Sequence, residues 1–302
     1  MGEVACPPAS ATSLREAYER DGFVVVRGLL PRADVMALRA HAESLLRKNG
    51  DASARPYMQT AFDDQGAAKV IKLSGLADRD PRFAEIATRD SLVDVVETLI
   101  GAGSRRFRDV LITKPGRTGG VFSYHQDSAF WDVEPKALVS AWISLGDVTA
   151  DSGCLSVVPG TQTRFIEHGL YLRGRYAVPR PITRALRRLV SLTGTGDNPD
   201  TTTSRGLVWR VKRWLLADTT KYLPVLYDLQ DFRVPLDMVD TTGEVLLPVA
   251  AGDVIFFHSL LWHASGPNRS ESMRFAEIIS FMGPAARFIG RGARAFPLAR
   301  RA

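Results

Sequence analysis

Ser123-Tyr-His-Gln-Asp-Ser-Ala-Phe130 is the stretch on which the fold of this chain depends, because it carries a histidine and a carboxylate two residues apart. Side chains at positions i and i+2 of a β-strand point to the same face, so His125 and Asp127 are expected to aim at one point. A second strand could bring another imidazole to that point. The stretch therefore predicts a strand-rich fold in which a distant segment returns to the same place.

The partner segment lies far downstream, where two histidines follow an apolar run. His258 ends Val254-Ile-Phe-Phe-His258, and His263 precedes the small-residue turn Ala264-Ser-Gly-Pro-Asn268. Two imidazoles and one carboxylate form the facial ligand set of non-haem Fe(II) oxygenases, which leaves three coordination positions open. Arg274 could then hold the far carboxylate of a 2-oxoglutarate co-substrate through two parallel hydrogen bonds.

Several other segments accompany these residues in a fixed order. They are Asp21-Gly-Phe-Val-Val-Val-Arg-Gly28, Leu111-Ile-Thr-Lys-Pro115, Ala141-Trp-Ile143 and Ser152-Gly-Cys-Leu-Ser-Val-Val-Pro-Gly160. With His125-Gln-Asp127 and the interval of eleven residues from His263 to Arg274, the set resembles the phytanoyl-CoA dioxygenase family of Fe(II)/2-oxoglutarate-dependent oxygenases. The resemblance covers residues 13–163 and 245–283. It implies Fe(II), 2-oxoglutarate and O2, with ascorbate as a helpful additive.

The resemblance assigns the metal site to individual residues. It implies that His125, Asp127 and His263 are the iron ligands, because the family's distal ligand stands directly before a small-residue turn and eleven residues before the arginine. His258 is then expected to be a packed residue outside the ligand set. Arg274 is expected to bind the far carboxylate of 2-oxoglutarate, since a buried arginine needs an anion.

Further side chains are implied around the co-substrate. Ser265 occupies the position from which the family hydrogen-bonds the same carboxylate, and Lys72 falls where the family has a co-substrate lysine, with Lys69 as a close rival. Trp142 resembles the family's tryptophan beside the co-substrate, although an ordinary core tryptophan fits the pattern too. Gln126 would point away from its two neighbours in a strand, whereas the family places its counterpart near the co-substrate.

The expected fold class is α+β with a mainly β core. The family fold is a double-stranded β-helix, a cupin-like jelly roll of two antiparallel sheets with the iron site between them. Capping patterns and Gly or Pro boundaries predict flanking N-terminal helices from Ser13 to Gly22, from Pro31 to Gly50 and from Asp80 to Ile100. Strands are predicted at Phe23–Val26, Arg106–Thr113, Ala137–Leu145, Cys154–Val158, Glu244–Val249, Asp253–His258 and Arg274–Met282.

One domain is expected for residues 1–302, since a β barrel of this length can form a single unit. Residues 1–12 are expected to form a disordered lead. Residues 164–240 match no family segment and are too long for an ordinary connection, so they are expected to form a helical lid over the barrel mouth.

Inside this lid, amphipathic patterns predict basic helices at 182–192 and 207–216, with a mobile Gly/Thr/Asn/Asp-rich stretch at 193–204 between them. Docking of such helices on a membrane is the less favoured alternative. A surface position is expected for His168 in the lid and for His41 on a helix.

The amino-acid composition limits the cellular locations and the classes of binding partner that we expect. The chain is 45% hydrophobic with a net charge of +6, and no apolar run reaches membrane-spanning length. Two cysteines and no signal-peptide pattern indicate a cytoplasmic protein. Residues 161–240 hold thirteen Lys/Arg against eight Asp/Glu. No nucleic-acid-binding motif accompanies this charge, so we expect no nucleic-acid partner, and attraction of an anionic small molecule is favoured.

The function expected from the resemblance is a dioxygenase that hydroxylates an unactivated C–H bond of a small molecule, with release of succinate and CO2. A tailoring role in bacterial secondary metabolism is expected, on a largely apolar substrate that could carry a negative group. The alternatives are an acyl-CoA 2-hydroxylase of the phytanoyl-CoA type and a catalytically inactive barrel with a binding role. The sequence does not determine the oligomeric state.

Overall fold

The helices lie in the N-terminal third, as the sequence predicts, and they pack on one face of a large sheet. The structure is a computed structural model, and it describes residues 11–48, 58–62, 68–117, 119–172, 176–177, 181, 231–290 and 295–300. The helices are α1 (Ala11–Asp21), α2 (Arg32–Lys48), α3 (Pro81–Ala87) and α4 (Asp90–Ile100).

Two helix boundaries differ from the predictions. The first helix begins at Ala11, so the last two residues of the expected lead are helical. The single helix predicted from Asp80 to Ile100 is wrong: Thr88 and Arg89 leave the helical conformation and separate α3 from α4. Asp80 caps the start of α3 by accepting a hydrogen bond from the Arg82 amide. At the other end, Thr88 Oγ1 donates to the Ala84 carbonyl, and this bond competes with continuation of the helix.

Gly22 ends α1 as predicted, and its conformation is required there. Its φ is +82°, a region that glycine enters without strain, and its amide donates to the Tyr18 carbonyl at 2.8 Å. An added Cβ would lie 2.5 Å from the Gln162 side chain. A larger residue at this turn would therefore be strained in its backbone and would displace the Gln162 side chain.

The strands form two principal antiparallel sheets. A seven-stranded major sheet has the order β1-β13-β7-β15-β4-β3-β2, and a four-stranded minor sheet has the order β12-β8-β14-β5. The bounds are β1 Phe23–Val26, β2 Met58–Phe62, β3 Ala68–Ser74, β4 Arg105–Lys114, β5 Phe122–His125, β6 Val133–Glu134, β7 Leu138–Ser144, β8 Leu155–Val158, β9 Gly169–Leu172, β10 Tyr176–Ala177, β11 Asp231–Arg233, β12 Val245–Leu247, β13 Val254–His258, β14 Trp262–Ser265, β15 Arg274–Met282 and β16 Arg287–Phe288.

Two apolar layers stabilise this arrangement. Between the sheets, Trp142, Ile255 and Phe257 of the major sheet pack with Leu155 and Val157 of the minor sheet. On the outer face of the major sheet, residues of β15 and β7 pack against α3 and α4. The result is the expected jelly roll with flanking N-terminal helices, and the space between the sheets is where the predicted ligands meet.

The described ends of the 164–240 insert form strands. Strands β9, β10 and β11 make a three-stranded sheet. The predicted helices at 182–192 and 207–216 and the predicted mobile stretch at 193–204 lie outside the described residues. Among the helices that the structure describes, none combines the length and apolarity needed to cross a bilayer.

Candidate metal centre

The three predicted ligands converge at one end of the minor sheet. His125 is the last residue of β5, and it lies opposite His263 of β14 in the sheet register. The Nε2 atoms of His125 and His263 lie 3.8 and 3.7 Å from Oδ1 of Asp127. One ligand atom from each residue falls within a cluster 4.8 Å across. Two imidazoles and a carboxylate at this spacing can share one metal ion.

Backbone carbonyls orient both imidazoles. His125 Nδ1 lies 2.8 Å from the Ser123 carbonyl oxygen, and His263 Nδ1 lies 3.0 Å from that of Leu261. A carbonyl oxygen only accepts, so each Nδ1 carries the proton and each Nε2 directs its lone pair into the cluster. Burial, and next the neighbouring His263, hold the pKa of His125 well below its usual value. A neutral imidazole is the form that a metal needs.

Asp127 reaches the cluster by a route that the sequence did not predict. It begins the 3-10 turn Asp127–Ala129 rather than continuing the strand, so the alternation argument was wrong for this residue. The Ser140 hydroxyl donates to Asp127 Oδ2 at 2.9 Å and lies 3.0 Å from the Ser280 hydroxyl. These two serines fix one carboxylate oxygen and leave Oδ1 for a metal.

His258 lies away from the ligand cluster, as expected. Its ring centroid is 6.0 Å from that of Tyr18, and its Nδ1 accepts from the Leu260 amide at 3.0 Å. Burial lowers its pKa to about 4. The geometry thus favours His263 over His258 as the third ligand.

Arg274 is buried next to Trp142, and no carboxylate among the described residues pairs with it. Nη1 donates to the Gly153 carbonyl at 3.1 Å, and the guanidinium lies 5.4 Å from the centre of the Trp142 ring. Its Nε has no partner among the described residues, and burial lowers the pKa of Arg274 to about 10. A buried guanidinium with an unused donor is suited to a carboxylate that enters from solvent.

The other predicted co-substrate residues surround the same space. Trp142 is fully buried next to Arg274. Ser265 lies on β14, opposite Phe122, and the Lys72 ammonium lies 5.4 Å from the centre of the Phe122 ring. The side chain of the rival Lys69 is outside the described residues. This contact lies beside β5, the strand that ends at His125, and a co-substrate role for Lys72 stays a prediction.

Gln126 has a different environment from the one that the resemblance implied. Its side-chain Nε2 donates to the carbonyls of Arg164 and Leu260 at 2.9 and 2.6 Å, and its side-chain Oε1 accepts from the Ile166 amide at 2.8 Å. Both polar atoms of the side chain are engaged with backbone. These contacts favour a positioning role, in which Gln126 holds the start of the insert against residues 125–127, which carry two of the predicted ligands.

The surface position expected for His168 is wrong. His168 is buried, its Nε2 accepts from the Gln126 amide at 2.8 Å, and its Nδ1 donates to the Ile166 carbonyl. His41 is only partly exposed, with Nε2 2.6 Å from Asp80 Oδ2. Local sequence could not show this, because Gln126 and Asp80 belong to segments distant in the chain from the histidines that they contact.

Sequence reasoning also missed Phe130. It follows the ligand turn, its ring centroid lies 5.8 Å from that of His125, and it lies 6.1 Å from that of His168. Half of the side chain, 51%, remains exposed. Phe130 is therefore a solvent-accessible aromatic side chain next to a predicted ligand.

Comparison with known proteins gives a family and relatives. The sequence profile of the phytanoyl-CoA dioxygenase (PhyH) family matches residues 18–276. The peroxisomal phytanoyl-CoA dioxygenase of Homo sapiens is 23% identical over 275 aligned residues, covering 87% of this chain and 65% of the human protein. The chain therefore spans slightly less than two thirds of that relative's length. The L-proline trans-4-hydroxylase of Streptomyces griseoviridis is 29% identical over 204 residues, covering 59% of this chain and 73% of the hydroxylase.

A solved structure supports the fold. The epimerase SnoN in complex with Fe3+, alpha ketoglutarate and nogalamycin RO superposes with a TM-score of 0.63 at 18% identity, covering 97% of this chain and all of the epimerase. The donor set described above fits the iron that the resemblance implies, and the orphaned Arg274 donor fits a carboxylate co-substrate. Because the matched region, residues 18–276, contains all three ligand residues and Arg274, this chain belongs to the phytanoyl-CoA dioxygenase (PhyH) family.

Proposed function

We propose that this chain is an Fe(II)- and 2-oxoglutarate-dependent hydroxylase of a small molecule, acting in bacterial secondary-metabolite biosynthesis. The observation that carries the proposal is the cluster of His125, Asp127 and His263, with both Nε2 lone pairs and one carboxylate oxygen directed to one point. Bound ferrous iron and 2-oxoglutarate would supply O2 activation, hydrogen abstraction from substrate, and release of succinate and CO2.

The protein would contribute binding, orientation and exclusion of water. Ser140 keeps the Asp127 carboxylate in one orientation, and His125, Asp127 and His263 would together hold the iron. Arg274, with Ser265 and Lys72 nearby, would hold the far carboxylate of 2-oxoglutarate. The Trp142 ring closes the space beside Arg274. Exclusion of water from this end strengthens each charge–charge contact.

Substrate is proposed to approach from the Phe130 side. The half-exposed ring next to His125 offers apolar contact close to the reacting centre. On the same strand, Ser123 Oγ accepts from Arg233 Nη1 at 3.1 Å, which brings a cation to the edge of the site. A largely apolar substrate with a negative group would match both features.

The insert is proposed to cover the approach beside Phe130, because its described ends lie against residues 124–126. The Val234 amide donates to the Tyr124 carbonyl at 2.9 Å, and the Ile166 amide donates to Gln126 Oε1. The segment between these anchors thus begins and ends next to His125.

Two relatives suggest different substrate classes. The L-proline hydroxylase supports a free small molecule, and the phytanoyl-CoA dioxygenases support an acyl-CoA. We favour the free small molecule, since L-proline and the nogalamycin RO bound to the epimerase SnoN are both small molecules. A cytoplasmic location remains a prediction from the cysteine content.

Succinate formation tests the proposal. The protein with Fe(II), ascorbate and 2-oxoglutarate should release succinate, and metabolite pools should yield a product 16 mass units heavier, the mass of one oxygen atom. Loss of a metal ligand should be severe, so His263→Ala should lower succinate release by at least about a hundredfold. His258→Ala should retain most of it and serves as the matched control.

Normal turnover by His263→Ala together with iron loss in His258→Ala would contradict the ligand assignment. Absence of iron-dependent succinate release from wild type in every pool would favour the inactive barrel. A product that requires a CoA thioester would favour the acyl-CoA alternative.

A further inference from the structure

Lys114 is buried on the inner face of β4, although it carries an ammonium group. Its exposed fraction is 1%, and in the sheet register it lies opposite Arg274 of β15. Lysine is almost never fully buried unless its charge has a use or a partner. No carboxylate contacts either cation among the residues that the structure describes.

Backbone oxygens and an aromatic ring hold the Lys114 ammonium in place. Nζ donates to the carbonyl of Ser265 at 3.1 Å and also to that of Gly266, and it lies 5.1 Å from the centre of the Phe122 ring. An ammonium has three donors, so two hydrogen bonds leave one N–H for another acceptor. These contacts lie just after the ligand His263.

Lys114 and Arg274 are connected through the same turn. The Gly153 carbonyl accepts from Arg274, and an added Cβ at Gly153 would lie 2.6 Å from the Gly266 oxygen that accepts from Lys114. The φ of Gly153 is +77°, so the turn requires glycine for its conformation as well as for space. One close-packed unit therefore fixes both cations.

The surrounding groups disfavour a full charge on Lys114. Burial, and next the Arg274 charge, lower the pKa of Lys114 to about 7, while Cys154 acts in the opposite direction. Lys72 of β3 approaches the same Phe122 ring. The groups around Lys114 thus comprise two other cations and a thiol, with no anion among the described residues to hold the proton at neutral pH.

We propose that Lys114 is a further cation of the co-substrate site, in addition to Arg274 and the predicted Lys72, and that it becomes fully charged only when the far carboxylate of 2-oxoglutarate binds beside Arg274. This inference rests on the proposed function and deepens it. An incoming carboxylate favours the ammonium form, so binding above neutral pH takes up a proton from solvent. Affinity should then fall as pH rises through the pKa that Lys114 has in the free protein.

Titration calorimetry with N-oxalylglycine, a non-reactive mimic of 2-oxoglutarate, tests this on the Mn(II)-loaded full chain. Between pH 6.5 and 8.5 the wild-type affinity should fall by about twenty-five-fold, as expected for one proton coupled to a group whose pKa in the free protein is about 7. Buffers of different ionisation enthalpy should reveal proton uptake at pH 8. Lys114→Met should bind at least about tenfold more weakly at pH 6.5, with little pH dependence and no linked proton.

Two further variants separate charge from structure. Lys114→Gln keeps a hydrogen-bond donor without the charge, so it should resemble Lys114→Met if the charge matters. Lys136→Met removes a partly buried lysine outside the site, paired with Glu134, and should match wild type. Wild-type affinity and pH dependence in Lys114→Gln would overturn the inference.

If Lys114→Met fails to fold, proton uptake by the wild type alone decides the question. Metal-dependent binding without linked proton uptake would overturn the role of Lys114 and leave the proposed function standing. Failure of the wild type to bind N-oxalylglycine in a metal-dependent manner would instead contradict the proposed function.

Discussion

Each face of β15 buries one ionisable side chain, Arg274 on the inner face and Glu277 on the outer face. The two side chains are stabilised in different ways. On the inner face, Arg274 has one backbone acceptor and an unused donor. On the outer face, Glu277 is 1% exposed, and neither carboxyl oxygen has a partner among the described residues. The two residues are three positions apart on one strand, so alternation directs them to opposite sides.

The difference lies in what the neighbours allow. An arginine is not deprotonated in proteins, so Arg274 remains a cation and can be neutralised only by an anion from outside. Glu277 can take up a proton instead: burial, followed by the nearby Asp109, raises its pKa well above the usual value. Unpaired charge is thus retained where a ligand is proposed to bind and removed where only packing is needed.

Asp109 shows the third solution, a buried carboxylate with internal partners. It accepts from the Ala77 amide at 3.0 Å and from Arg106 Nη1 at 3.2 Å. Burial still raises its pKa, while these partners act to lower it. It therefore connects the outer face of the sheet to the loop before α3. The comparison predicts that inner-face variants alter ligand binding and outer-face variants alter stability.

The largest effect is expected from Arg274→Leu. Removal of one partner of a buried ion pair costs about 3 to 5 kcal/mol, so the affinity for N-oxalylglycine should fall by a hundredfold or more. The ligand-free protein should be no less stable, because an unpaired buried charge is lost. Calorimetry and thermal unfolding measure the two quantities, with Arg32→Leu on the surface as control. A stability loss without an affinity loss would place Arg274 with the outer-face residues.

Asp109→Ala should have the next largest effect, on stability alone. It leaves the Ala77 amide without its acceptor and removes a partner of Arg106, at a cost of about 2 to 3 kcal/mol. Denaturant unfolding gives this free energy, and Asp109→Asn, which keeps an acceptor for the amide, should lose less. The folded variant should bind N-oxalylglycine like wild type, and a weaker affinity would show that the two faces are coupled.

The smallest effect, of opposite sign, is expected from Glu277→Gln. A carboxyl whose folded pKa is raised contributes stability that is complete below its unfolded pKa of about 4.3 and is lost as pH rises towards the folded value. Glu277→Gln has no carboxyl group to ionise, so it does not lose stability in this way and should be more stable than wild type at pH 8. The difference should shrink towards pH 5. Equal unfolding free energies at every pH would mean that Glu277 has a partner.

Much of the site was predictable from the sequence, because its signals are short and ordered. His125-x-Asp127, the small-residue turn after His263 and the interval to Arg274 together indicated the ligand set and the family. Strands β1 and β15 have the predicted bounds, since continuous apolar, β-branched and aromatic runs mark buried strands.

Other features lacked a decisive local signal. Strands β2 and β3 were not predicted, and a short run of mixed polarity becomes a strand only through its neighbours in the sheet. The break between α3 and α4 at Thr88 was missed because the helical pattern continues across it. Lys114 carried a usable signal, a lysine at an inward position of an alternating strand, but its meaning depends on Arg274 opposite it.

The sequence by itself determined the donor types, their order along the chain and the family to which they belong. The tertiary structure decided how they meet: Asp127 turns into the cluster through a 3-10 turn, and His168 is buried against the Gln126 amide. It also decided which buried charges remain for a ligand. Local patterns follow from the covalent chain, whereas burial, pairing and pKa depend on groups that only folding brings together.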